Sequence, residues 1–243
     1  MPVGAIVQVF GSIARPFLET IMSTLAPMVA AAQPTVDVYV SPSLDNRNRL
    51  TCAFRVFLAI PHLILVGGPV AGALSWTWSG TGGSHFELST MGALGAVAAL
   101  AALIAWFAIV FTGRHPQGLW SLTAFYLRWR VRAVAYTALL RDEYPPFGDA
   151  LYPAAVEICP PKDVRDRLSV ALRPIFAIPH VIIVWALSMA WAVTSIIAWF
   201  AILFTGRYPR GLYDFATGVL RWSTRVEAYL LLLHDDYPPF SLN

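Results

Sequence analysis

The chain has 243 residues, 57% hydrophobic and 13% charged, with a net charge of +3 and a mean hydropathy of +0.61. A water-soluble domain carries about a quarter charged residues, so this composition excludes an ordinary soluble globule and points to a surface that meets lipid. A nucleic-acid surface is excluded as well. The basic residues punctuate apolar stretches, with none between Arg55 and Arg114 or between Arg173 and Arg207, and form no hydrated basic face.

Residues 1–35 read as a weakly amphipathic segment interrupted at Pro16, without the basic start of a secretory leader. Val36-Asp37-Val38-Tyr39-Val40 alternates with period two and ends at proline, which predicts a short strand. Two apolar runs follow, 50–74 and 91–112, each long enough to cross a roughly 30 Å hydrocarbon layer. The loop between them, about 75–90, carries Trp76, Trp78, His85 and Glu87. Gly113-Arg114 suits a helix end, with glycine at the turn and arginine facing the carbonyls. A second helix is expected over 118–140, then Asp142-Glu143 and the YPPF of 144–147.

The same succession then recurs. AIPH occurs at 59–62 and 177–180, and IAWFAIVFTGR at 104–114 answers IAWFAILFTGR at 197–207. LRW stands at 127–129 and 220–222, and YPPF returns at 237–240. Upstream, Val38, Val40, Pro42, Asp45, Arg47 and Arg49 align with Val156, Ile158, Pro160, Asp163, Arg165 and Arg167. The chain therefore divides into an N-terminal segment 1–35, a first copy 36–148 with an insertion about 75–90, and a second copy 149–243. In the second copy Ala154–Ile158 predicts the partner strand, and 168–205 is one apolar block. A straight helix of that length overshoots a bilayer, so two short tilted or re-entrant helices are expected, turning near Ser188–Trp191. A final helix is expected over 211–233.

The fold class that follows is an all-α integral membrane protein of two tandem repeats. Each repeat is a transmembrane helical hairpin plus an interfacial amphipathic helix, with short β-strands on the cytoplasmic side. Because basic residues flank the hairpins and spare their tips, the expected location is the cell inner membrane, multi-pass, with both termini in the cytoplasm and the 75–90 loop outside.

AIPH, IAWFAILFTGRYPRGL, LRWSTRVEAYLLLL and YPPFSL resemble the bacterial membrane proteins grouped as domain of unknown function 4389. The resemblance runs from about residue 36 onward and is closer in the second copy; the first has His115 and Gln117 where the second has Tyr208 and Arg210. It implies an integral membrane protein and brings no biochemical activity with it.

Arg114, Arg128, Arg132, Arg207, Arg221 and Arg225 are the candidate ligand- or headgroup-binding residues, since arginine suits bidentate contact with phosphate. Pairing within the chain, with Asp214, Glu227, Asp142 or Asp235, is the commoner use of arginine at membrane depth and weighs more. His62 and His180, each beside a proline, could ligate one haem from both sides, but a kinked helix whose histidine bonds a carbonyl or a headgroup is the plainer reading. Asp142-Glu143 and Asp235-Asp236 read as solvated helix exits, and Cys52 and Cys159 as small apolar residues. No metal site, cofactor or catalytic motif is expected. The function expected is a non-enzymatic accessory or scaffold of a membrane complex, with the lipid bilayer, anionic headgroups and a membrane-protein partner or oligomer as contacts. A lipid- or small-solute-handling transporter is the alternative, and a haem-binding redox subunit the third.

Overall fold

The computed structural model describes residues 36–68, 76–79, 83–86, 92–160 and 164–243. The amphipathic segment expected over 1–35 lies outside the described residues, as does half of the 75–90 loop. Among the described residues the elements run β1 (Val36–Val40), α1 (Arg49–Val66), β2 (Trp76–Ser79), β3 (Gly83–Phe86), α2 (Gly92–Thr112), α3 (Gln117–Thr137), β4 (Ala154–Ile158), α4 (Arg167–Thr205) and α5 (Arg210–Leu230). The fold is mainly helical, and α1, α2 and α4 are long and apolar enough to cross a membrane by length and composition.

β1 and β4 fall on the two alternating stretches and pair antiparallel, with Val38 opposite Val156 at the centre and Asp37 opposite Glu157. Their valine and isoleucine face is buried, while Tyr39 and Glu157 are exposed on the other. β2 and β3 form a small antiparallel pair of their own. The β1–β4 ribbon rests on α3 and α5, and these pack against α1, α2 and α4.

Helix starts follow local chemistry. The Asn48 side chain accepts from the Leu50 and Thr51 amides, and Asp166 does the same for Leu168. α3 and α5 begin directly after Pro116 and Pro209, whose missing donors cost nothing at a helix start. The expected glycine ends are present: Gly113 and Gly206 are left-handed, with φ +75° and +72°. α1 ends at Val66, earlier than the apolar run to 74, because Gly67-Gly68 stops it, Gly67 having φ +79°.

The largest departure from expectation is α4. It is one helix of 39 residues, about 58 Å long, with no turn near Ser188–Trp191. That segment contains neither glycine nor proline, and both Ser188 and Trp191 are buried against the protein. The prolines lie earlier, at 174 and 179, and the carbonyl that Pro174 strips of its helical donor, Val170 O, accepts the indole N–H of Trp106 at 2.9 Å.

The first copy is not a hairpin either. α4 begins beside the end of α2, where the Arg165 amide bonds the Gly113 carbonyl at 3.0 Å. It ends beside the start of α1, where the Arg47 amide bonds the Gly206 carbonyl at 3.0 Å. An unbroken helix cannot bring its own ends together, so the start of α1 and the end of α2 stand far apart. α2 instead starts where α1 stops: Gly92 lies so close to the Leu65 carbonyl and the Gly67 nitrogen that a Cβ there would come within 2.6 Å of either. α1 and α2, of 18 and 21 residues, thus make up an interrupted counterpart of α4 running in the opposite direction.

α3 and α5 occupy the two spans expected of interfacial helices but supply much of the buried core, including Leu127, Tyr136, Leu220 and Tyr229. The outward apolar surface belongs to α1, α2 and α4, with Phe57, Phe111, Ile182 and Phe204 all exposed.

Candidate functional site

The most strongly buried charges form two equivalent clusters. Where α3 ends, Leu139 takes a left-handed conformation (φ +66°) uncommon for leucine, which turns the last carbonyls of the helix inward. Arg47 bonds the Leu139 and Leu140 carbonyls, Arg55 bonds those of Tyr136 and Arg141, and both contact Asp142, Arg47 at 2.8 Å. At the end of α5, Leu232 (φ +62°) turns in the same way. Arg165 bonds the Leu232 and His234 carbonyls, Arg173 those of Tyr229 and His234, and both contact Asp235, at 2.6 and 3.1 Å. The four guanidinium groups thereby serve the carbonyls at the helix ends; those of Tyr136 and Tyr229 also accept the Leu139 and Leu232 amides. Burial pushes Asp235 up, but the hydrogen bonds and charges of Arg165 and Arg173 outweigh it and hold the carboxyl below its ordinary value.

Each cluster stands beside an aromatic box. The indole N–H of Trp129 donates to Nδ1 of His62 at 3.1 Å, and the ring of Phe147 stacks on the imidazole at 4.5 Å. Trp222 donates to Nδ1 of His180 at 3.2 Å, and Phe240 stacks on it at 3.9 Å. Tyr144 and Tyr237 complete the two boxes. An indole nitrogen only donates, so Nδ1 is the acceptor and the imidazole proton sits on Nε2. AIPH, LRW and YPPF are therefore three walls of one box, built twice. The boxes share no residue, and both histidines are fully buried. A haem joining His62 to His180 would have to displace both sets of aromatic rings.

The six candidate arginines do not converge. Arg114 and Arg207 are exposed at the ends of α2 and α4, Arg207 lying 3.3 Å from Asp45. Arg128 and Arg132 meet at Asp149, at 3.7 and 2.6 Å. Arg221 donates to the Val38 carbonyl at 3.2 Å and Arg225 to that of Asn243. Arg221 also lines a cavity of about 280 Å³ with Asp214, Thr217 and Tyr213.

A family model described as a domain of unknown function (DUF4389) matches residues 89–148 and 167–241. The chain belongs to this family. No curated protein and no solved structure matches it. The two matched segments each contain one Trp–His donor and one YPPF wall, and the second also contains its box histidine, His180. His62 and the arginines of the first cluster precede the first segment.

Arg55, Arg173 and Arg130 are functional groups beyond the six candidate arginines. The first two were findable, since they keep the 118-residue offset that relates the AIPH motifs. Arg130 was not, because the second copy has Ser223 in its place. It crosses from α3 to α5, holding Glu227 at 2.8 Å and the Val66 carbonyl at 2.7 Å. Burial works against its charge, yet Glu227 and Tyr126 beside it hold Arg130 above the ordinary arginine value. Asp142 and Asp235, expected as solvated exits, are bound by two arginines each.

Proposed function

We propose that the chain is a non-enzymatic integral membrane protein of the cell inner membrane. Its two tandem copies form a rigid scaffold that stands within a larger membrane assembly. The observation that carries the reading is the division of labour among side chains. Exposed apolar residues run the length of α1, α2 and α4, from Phe54 to Phe111 and from Leu168 to Phe204. Meanwhile the buried arginines Arg47, Arg55, Arg130, Arg132, Arg141, Arg165 and Arg173 are engaged in holding carboxylates and carbonyls. Paired carboxylates committed to arginine have little freedom to act as acid and base. Arginine at membrane depth costs about 2.5–3.5 kcal/mol on insertion scales, so self-pairing of this kind favours a stable embedded body. Purification in mild detergent with mass-spectrometric identification of what accompanies the chain tests this: a stable membrane-protein partner or oligomer is expected, and a strictly solitary monomer would sink it.

A second reading, handling of a small anionic solute or headgroup, is favoured by the cavity beside Arg221. Arg221→Ala should then abolish binding of an anionic lipid or solute to the purified protein; unchanged binding removes it.

A further inference from the structure

Taking the chain as a membrane protein, as proposed above, we infer that it enters the bilayer from one side only. α1–α2 and α4 then run lengthwise in the membrane plane, and the β1–β4 ribbon faces water. The inference rests on how equivalent contacts are arranged. Val38 and Val156 occupy equivalent sequence positions and face each other at the centre of the ribbon. Trp106 bonds Val170 O while its counterpart Trp199 bonds Cys52 O, and these contacts lie at opposite ends of α4. The Arg47–Gly206 and Arg165–Gly113 bonds are exchanged in the same way. An operation that swaps the halves and reverses two antiparallel rods is a twofold rotation about an axis perpendicular to them. That axis passes through the middle of the ribbon.

Two dispositions are then possible. If the rods cross the bilayer, the axis lies in the membrane midplane and carries the ribbon with it. Asp37 opposite Glu157, the open edges of a two-stranded sheet, and Arg221 bonded to Val38 would all sit at the level of the lipid tails. Open sheet edges and ionised side chains are the features hydrocarbon tolerates least. If the axis stands along the membrane normal, the ribbon points into water with its exposed Tyr39 and Glu157, and the apolar rods on the far side of α3 and α5 meet lipid. Residues 174–206, without a single charge, then lie immersed along their whole length, and Arg49, Arg114, Arg167, Arg207 and Arg210 collect at the rod ends, at headgroup level. The six candidate arginines separate accordingly. Arg114 and Arg207 face headgroups, whereas Arg128, Arg221 and Arg225, half-buried, and Arg132, buried against Gly148 and Asp149, stand on the ribbon side.

Sealed membrane vesicles of known orientation and a membrane-impermeant maleimide test the inference on the full chain. Exposed Cys159, next to β4, reports the ribbon, and Cys52 is buried. Gln117→Cys and Arg210→Cys, made in a Cys159→Ser background, place a thiol at exposed positions beside the two opposite rod ends. All three thiols should label in the same vesicle orientation and in that one alone. Labelling of Gln117→Cys and Arg210→Cys in opposite orientations, with Cys159 protected in both, would overturn one-sided entry while leaving the membrane reading intact. Release of the unmodified chain by alkaline carbonate would overturn both.

Discussion

α1–α2 and α4 carry the same inward stripe on different backbones. Cys52, Arg55, Ala59, His62 and Val66 correspond to Val170, Arg173, Ala177, His180 and Val184, and the stripe continues through Ala98, Ala105 and Ile109 as through Trp191, Ala198 and Ile202. One version is an unbroken helix; the other is cut after Val66 and resumed at Gly92. The path of the rod is therefore set by what the stripe binds, the arginine clusters and histidine boxes, and not by continuity of the helical hydrogen bonds. The sharpest way to break the comparison is to remove the shared carboxylate from one end or the other. Asp235→Ala leaves Arg165 and Arg173 buried with carbonyls alone, and Asp142→Ala does the same to Arg47 and Arg55. Each should cost about 3–5 kcal/mol of unfolding stability in detergent, the usual penalty for stranding a buried charge. A large loss for one and none for the other would show that the two rods are not held alike.

The second difference between the halves is chemical. Where the first copy has Arg141, bound to Glu143 at 3.0 Å, the second has His234. Burial, with Arg173 nearby, pulls His234 down to about 4. A histidine whose folded value is depressed adds stability that is complete above its unfolded value, near 6.5, and is lost as pH falls toward 4. The loss across that window should approach about 3 kcal/mol, and His234→Gln should flatten it. A slope that survives the substitution would place the titration elsewhere.

Much of this fold was legible because it is local and repeated. The strands β1 and β4, the glycine helix ends and the spans of α3 and α5 follow from alternation, glycine placement and periodicity. What was not legible depends on length read against an assumed membrane. A 38-residue apolar block looks too long to cross, so a turn was expected near Ser188–Trp191, although no residue there breaks a helix. The histidine box shows a second limit. Its walls at 62, 129 and 147 are far apart in sequence, and a motif repeated twice reveals that its parts matter without revealing that they touch. Trp129→Phe and Trp222→Phe probe that contact with little change of shape. Each leaves a buried histidine nitrogen without its donor and should cost about 1–2 kcal/mol, read as a lowered midpoint of thermal unfolding. Equal losses would show that the two boxes do the same work.

The smallest expected effect is the most direct test of the two rods' equivalence. Deleting residues 67–91 joins Val66 to Gly92, the same junction that α4 makes between Val184 and Trp185. Gly92 must then leave its left-handed conformation (φ +68°) for a helical one, at a cost of about 1 kcal/mol for glycine within a helix. Removing 25 residues of connecting chain offsets this, because closing a loop draws on chain entropy. The net change in stability should stay within about 1 kcal/mol, with helical ellipticity per residue rising in circular dichroism. If α1 and α2 were instead the antiparallel arms of a hairpin, removing the residues between them would leave no chain to make the turn, and the deletion would unfold the first copy.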